Sequence, residues 1–282
     1  MKTLLVPVDF SVPSDNAALF AADLANDRQY DDIVLAANLY VPIFEQIIPS
    51  PDLLQITATD IQQKKKQIRD QLQALKEEIL NRLSRNSTVR FVISDLPFVR
   101  AILQQIREVS PSLVLIGSNS LGATDSSTIG LQLIELAKVI PVPVLVVPPK
   151  SSYLPVATAL VAGDFTSLTC IDPLKLLGKI IHGPHPRLLL LDANAAHRSL
   201  TAADPSSPAK AALSELLKGF DYQLYHLEDK DILQGVLKFA DDNPVQLIIA
   251  LPGRHSFLYH LRHQNIQHAV WLNAQKPVLI LK

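Results

Sequence analysis

The sequence is poor in several residue types, and each shortage removes a class of protein. Cys170 is the single cysteine among 282 residues. That excludes an intrachain disulfide, a thiolate metal cluster and a Cys-x-x-Cys redox pair, and makes a reducing, cytoplasmic compartment the expected location. Glycine occurs nine times, less than half of what average usage of about 7% supplies. Loops that cradle phosphates are built on glycines, so few such loops are available. No sign of charge dominates: 26 Lys+Arg against 27 Asp+Glu leave a net charge of −1. Residues 1–150 carry 14 basic and 16 acidic side chains, and residues 151–282 carry 12 and 11. Neither half has the basic excess of a nucleic-acid binder. No apolar run approaches the roughly 20 residues that span a bilayer. The first apolar stretch is too short for a signal peptide and meets Asp9, so no membrane association is expected. There is no Gly-x-Ser-x-Gly elbow, His-Glu-x-x-His pair or Walker loop, and no enzymatic activity is expected.

What the chain does have is rhythm. Its residues are 48% hydrophobic and 19% charged, enough for a packed core, and the length suits about two domains. Leu4–Val8 reads as a strand, and Ala17, Phe20, Ala21, Leu24 and Ala25 share one helical face. Ile33–Ala37 is a second strand. A long helix follows, with Ile61, Ile68, Leu72, Leu75, Ile79 and Leu83 on one stripe and Lys64–Lys66 on its solvated face. Strands at Val89–Ile93, Leu113–Ile116 and Val142–Val147 alternate with helices at Phe98–Ile106 and Thr128–Ile140. Continuous apolar strands separated by amphipathic helices imply a parallel sheet covered on both faces.

The plan is then repeated. Ala159–Thr166 mirrors Leu5–Ser11, with apolar residues leading to Asp-Phe and a hydroxyl residue, at an offset of 155. Leu247–Ala250 and Pro277–Ile280 mirror Leu113–Ile116 and Pro143–Val146 at an offset of 134. The second copy is therefore 21 residues shorter, and the long second helix is the expected place of most of the loss. Its other expected elements are strands at Leu188–Leu191 and Tyr222–Tyr225 and helices at Ala209–Leu217, Ile232–Ala240 and Ile266–Leu272. The boundary is expected at Pro148–Ser152, dividing 1–150 from 151–282, and Thr201–Pro208 is expected as a loop.

This order of motifs resembles the universal stress protein family in its tandem, two-domain form. The residues that carry the resemblance are Val6–Ser11, Leu113–Gly117, Pro141–Pro148 and, in the second copy, Phe257–Leu258 through Lys276–Ile280. The resemblance implies an α/β fold of two flavodoxin-like (Rossmann-like) five-stranded parallel sheets, each with strand order 3-2-1-4-5. The two would pack as a pseudo-dimer through Val142–Val147 and Val278–Leu281, hiding two sheet edges.

Nucleotide-binding relatives share a loop of Gly, two residues, Gly, nine residues, then Gly-Ser or Gly-Thr. Backbone N–H groups and a helix N-terminus there suit phosphate oxygens. The resemblance carries this site to Asp9, Leu39, Gly117, Ser118, Asn119, Gly122 and Gly130. Asp9 and Leu39 would face the nucleoside, and Gly117–Gly130 the phosphates of ATP or AMP. This loop departs from the pattern: Ser120 replaces the second glycine, with Gly122 as a substitute, and Leu131 replaces the hydroxyl residue. No Lys or Arg lies between Arg107 and Lys138, so a triphosphate lacks a local counter-charge. The structural alternative is that Gly117 and Gly130 are turn glycines and that Asp9 caps the first helix. In the second copy Gly117 maps to Leu251 and Gly130 to Gln264, while Asp164 survives.

Arg254, His255, His260, Arg262, His263 and His268 form a basic, histidine-rich cluster, open to an anion-binding, pH-responsive or simply solvated role. No Asp, Glu or Cys beyond Gly253 completes a metal-ligand set. The expected function is a non-enzymatic stress-response or regulatory protein that binds a protein partner as an internal pseudo-dimer or a homodimer, needing no cofactor. The alternative is an ATP/AMP switch confined to the first copy. Titration with ATP-Mg, repeated on Gly117→Val, is the test the sequence suggests.

Overall fold

The computed structural model describes residues 2–40, 58–118, 136, 139–165, 168–180, 185–192, 208–227, 231–252 and 275–282. The expected helix Ile266–Leu272, the Arg254–His268 cluster and nearly all of Thr201–Pro208 lie outside them. So does most of the helix expected at Thr128–Ile140, of which Leu136 and Val139 are helical.

The first half follows the expected alternation. Strand β1 (Thr3–Val8) leads to helix α1 (Val12–Arg28), and β2 (Asp32–Asn38) to α2 (Ala58–Arg82). Then come β3 (Thr88–Ser94), α3 (Phe98–Val109), β4 (Leu113–Gly117) and β5 (Val144–Val147). The second half runs β6 (Thr158–Gly163), β7 (Arg187–Asp192), α6 (Pro208–Leu216), β8 (Tyr222–His226), α7 (Ile232–Asp242), β9 (Leu247–Ala250) and β10 (Val278–Ile280). Between β6 and β7 lies a segmented helix that the apolar pattern does not announce. It consists of α4 (Leu168–Ile171), a 3-10 turn (Asp172–Leu176) and α5 (Leu177–Ile180). Pro173 stands in the 3-10 turn that interrupts it, and with Gly178 inside α5 it weakens the helical signal. Pro208, expected in a loop, is the first described residue of α6.

The repeat is kept in the strand spacing. Thr3 and Asp32, which open β1 and β2, have Thr158 and Arg187 as counterparts, both at the 155 offset. Thr88, Leu113 and Val144 have Tyr222, Leu247 and Val278, all at 134. The whole shortening thus falls between the second and third strands. Most of it is helix: α2 has 25 residues and α6 has 9.

The strand order is β3-β2-β1-β4-β5-β10-β9-β6-β7-β8. Each half has the expected 3-2-1-4-5 arrangement of parallel strands, but the halves share one ten-stranded sheet rather than two. The join is the expected one: β5 and β10 pair antiparallel, with Val144 opposite Ile280, Leu145 opposite Leu279 and Val146 opposite Val278. The central strands are buried on both faces and the two edge strands, β3 and β8, are the exposed ones. Leu4 and Val6 of β1 point into a layer with α1 and α2 that continues through Leu174, Leu177, Leu213 and Leu217 of the second half. Leu5 points into the opposite layer, with Ile102 and Ile106 of α3 and Val236 and Ala240 of α7. Five alanines of α1 (Ala17, Ala18, Ala21, Ala22 and Ala25) are buried, letting the helix lie close to the sheet.

The segment after β5 is tied to α1. Asn16 Nδ2 donates to the carbonyls of Pro148 (3.0 Å) and Ser151 (3.1 Å). The Tyr153 hydroxyl donates to Asp27, and its ring meets Phe20 edge-on at 5.2 Å. A cross-half contact also forms at the far end, where Lys282 Nζ donates to Ile140 O at 2.7 Å.

Burial lowers the pKa of Lys282 from 10.5 to about 8. Below about pH 8 the amine is charged in folded and unfolded chains alike. Between about 8 and 10.5 the unfolded chain binds more protons, so stability rises with pH. Urea unfolding on both sides of that window should show the wild type gaining stability relative to Lys282→Met as pH rises.

Candidate functional site

In a doubly wound sheet the natural crevice lies at the carboxyl ends of the strands, where the order reverses. In the first half this is the gap between β1 and β4. Val8 is level with Ala37 of β2, and continuing the Leu4–Leu113 and Leu5–Val114 register brings Gly117 to the same level. Asp9, Leu39, Gly117 and Ser118 therefore converge at adjacent strand ends. Asn119, Gly122 and Gly130 lie outside the described residues.

The turn leaving β1 is built tightly. Phe10 has φ 59, a left-handed conformation that costs a residue with a Cβ about 1–2 kcal/mol. The turn brings the Ser11 N–H to 3.1 Å and the Ser11 Oγ to 2.5 Å from Asp9 Oδ1. Ser11, rather than Asp9, is the N-cap of α1: its Oγ accepts from the Ser14 N–H at 3.4 Å. Asp9 braces that cap from one step earlier. Leu39 is half-buried at the end of β2, with its N–H donating to Ser94 O at 2.7 Å. An apolar side chain thus stands on the strand beside a carboxylate, which suits the nucleoside end of a nucleotide.

The phosphate end is different. A Cβ built on Gly117 would lie 2.1 Å from Pro13 O and 2.8 Å from Ser14 N. The glycine is required by the close approach of β4 to the first turn of α1. Ser118 is 1% exposed, its N–H donates to Val147 O at 2.9 Å and its hydroxyl to the same oxygen at 3.4 Å. This side chain extends the β4–β5 ladder instead of facing the crevice. The charged side chains in the described segments that follow β1, β2 and β3, through the first helical turn, are Asp9, Asp15, Asp95 and one cation, Arg100. Burial pushes the Asp15 carboxyl above its ordinary range; the Ser14 hydrogen bond opposes this and the Asp9 carboxylate adds to it. Among the described residues, Gly117 and Ser118 are committed to packing and to the β5 ladder rather than free for phosphate oxygens.

The second half fills the corresponding space. Gly163 occupies the position of Val8, and Leu251 that of Gly117. A Cβ on Gly163 would lie 3.0 Å from Cβ and Cδ1 of Leu251, and Leu251 is fully buried. The glycine has changed place: in the first half it stands on β4 and gives way to the Pro13–Ser14 backbone, and in the second it stands on β6 and gives way to Leu251. The sequence holds this signal, because Val8–Gly163 and Gly117–Leu251 are pairs at the two repeat offsets. It becomes legible only once β1 and β4 are known to be neighbours. Asp164 is 9% exposed beside this filled position.

Among the described residues, no group of three or more His, Cys, Asp or Glu side chains is placed to hold a metal ion, and no helix is long and apolar enough to cross a membrane.

This tandem 3-2-1-4-5 arrangement defines an α/β protein of the flavodoxin-like class. The sequence profile of the universal stress protein family matches residues 1–148, and the chain belongs to that family. No curated protein matches it. Two solved structures are similar over nearly the full length. One is a universal stress protein from Archaeoglobus fulgidus DSM 4304, 15% identical, with 99% of this chain and 96% of that one covered at a TM-score of 0.63. The other is the functionally unknown protein PA1789 from Pseudomonas aeruginosa PAO1, 14% identical, with 100% and 92% covered at a TM-score of 0.52. At these identities the likeness is one of fold.

The Gly163–Leu251 exchange is open to a double-mutant cycle. Gly163→Val should destabilise by about 1–3 kcal/mol and Leu251→Gly by about 3–5 kcal/mol in urea unfolding. The double variant, which restores the first-half arrangement, should recover a coupling of roughly 1–3 kcal/mol. Gly117→Ala should cost about 3 kcal/mol or more, because its Cβ meets backbone that cannot move aside; Gly117→Val is therefore a folding variant and no clean probe of ligand binding.

Proposed function

We propose that this universal stress protein is a non-enzymatic, cytoplasmic stress-response protein that works by binding a protein partner through its surfaces. One observation carries this reading: Leu251 packs against Gly163 at the position that Gly117 holds in the first half, which speaks against nucleotide binding in the second half. The first half supports it as well. Gly117 is taken up by helix packing and Ser118 by the β5 ladder. Partner binding asks for neither a cation clamp nor a catalytic base. The single thiol, Cys170, is free and buried, which suits a reducing compartment.

A second reading, an ATP or AMP switch in the first half alone, draws on Asp9 and Leu39 at adjacent strand ends. There Leu39 would pack on the base and Asp9 would accept from the sugar hydroxyls.

Calorimetric titration with ATP-Mg and AMP to millimolar concentration separates the two. The surface reading expects no saturable heat. One site per chain, weakened at least about tenfold in Leu39→Asp, would establish the switch. Two sites per chain would overturn both.

A further inference from the structure

A cavity of about 280 Å³ lies on the axis that relates the two halves. Its position follows from the sheet. Leu145 and Leu279 are the central pair of the β5–β10 ladder, and both line it. So do Leu113 and Leu247, which are themselves repeat counterparts. Phe20 and Leu24 of α1 form one wall, and Ile180 of α5 stands on the second-half side. The halves are unequal here. The residue that corresponds to Phe20 is Lys175, which is exposed and ion-paired with Asp172. The segmented helix therefore leaves the axis less apolar cover than α1 supplies, and the linker residues Tyr153, Leu154 and Val156 add to the lining of a partly open cavity.

The volume is about twice the ~150 Å³ of an apolar cavity that accepts benzene. It suits a body of about ten carbons, each displacing roughly the volume of one water. Among the described residues that line the cavity, the charged ones are Arg28 and Lys276, both cations; Lys276 Nζ lies 3.8 Å from Asp241 Oδ1 and donates to Ala240 O. Arg28 is 6% exposed, and its Nε is 2.8 Å from Asp27 Oδ2. Asp27 in turn accepts from Tyr153 of the linker. A mostly apolar pocket with a few placed polar groups is the form that small-molecule sites take; the carboxylates that pair with the two cations, Asp27 and Asp241, are not among the lining residues, so the charge facing the cavity is positive and favours an anionic head.

We propose that this axial cavity is a binding site for an amphipathic carboxylate, its apolar body against the four leucines and its head toward Arg28. The site is separate from the strand-end crevice, and it uses surfaces that exist only because the two halves are joined. Phe20 and Leu24 come from the first half, Ile180 and Leu247 from the second, and the linker lining from the segment between them.

Calorimetry of the full chain with sodium decanoate and with decan-1-ol tests this. Decanoate should saturate one site per chain and bind at least about tenfold tighter than the alcohol, the size of a hydrogen bond to a charged group. Leu24→Trp, or Val156→Trp on the half-buried linker if the first does not fold, should fill the cavity and weaken decanoate at least tenfold. Arg28→Gln should bring the two probes within about threefold of each other. Decanoate that does not bind, binds equally well to a folded Trp variant, or binds no better than the alcohol would overturn the proposal.

Discussion

Three residue pairs of antiparallel ladder, from Val144–Ile280 to Val146–Val278, hold the architecture together. Without that pairing β5 and β10 would be sheet edges, with unpaired backbone donors and acceptors along strands whose side chains are apolar on both faces. With it, the two hydrophobic layers above and below the sheet run unbroken from one half to the other. The exposed edges move outward to β3 and β8, whose side chains already tolerate water.

Sharing a sheet does not make the halves alike. The first keeps a continuous α1, a long α2 and a glycine where β4 meets the helix. The second has a segmented first helix, a short second one and a leucine in place of that glycine. The Gly163–Leu251 exchange shows how such divergence can proceed without loss of packing. The space beside Gly117 is taken by the Pro13–Ser14 backbone, and the space beside Gly163 by the Leu251 side chain. A glycine at the strand end lets backbone approach; a buried leucine there is core. The same position thus passes from a close approach of backbone to a buried side chain.

Much of this was legible in the sequence. The two offsets, 155 and 134, follow from short apolar runs, and they recur without error in all five strands because parallel strands buried on both faces leave long unbroken signals. The segmented helix at Leu168–Ile180 was not legible, since Pro173 and Gly178 weaken its helical signal. Gly117 was recognisable as a special position, but its reason was not. Proximity to Pro13 O is a contact across more than a hundred residues, fixed by where α1 docks. Ser118 was likewise visible as part of a loop, while its commitment to Val147 depends on the ladder running one residue past the end of β4. The axial cavity had no sequence signature, because its walls come from separate elements of both copies.

The linker that follows β5 has a thermodynamic meaning. In an assembly of separate subunits, the union of two sheets is subject to mass action and weakens on dilution. Here the segment from Pro148 to Ala157, anchored on α1 by Asn16 and Tyr153, holds each half at a high effective concentration near the other. A seam of three residue pairs can then persist at any abundance of the protein, and the sequence at that seam is released from having to be self-complementary.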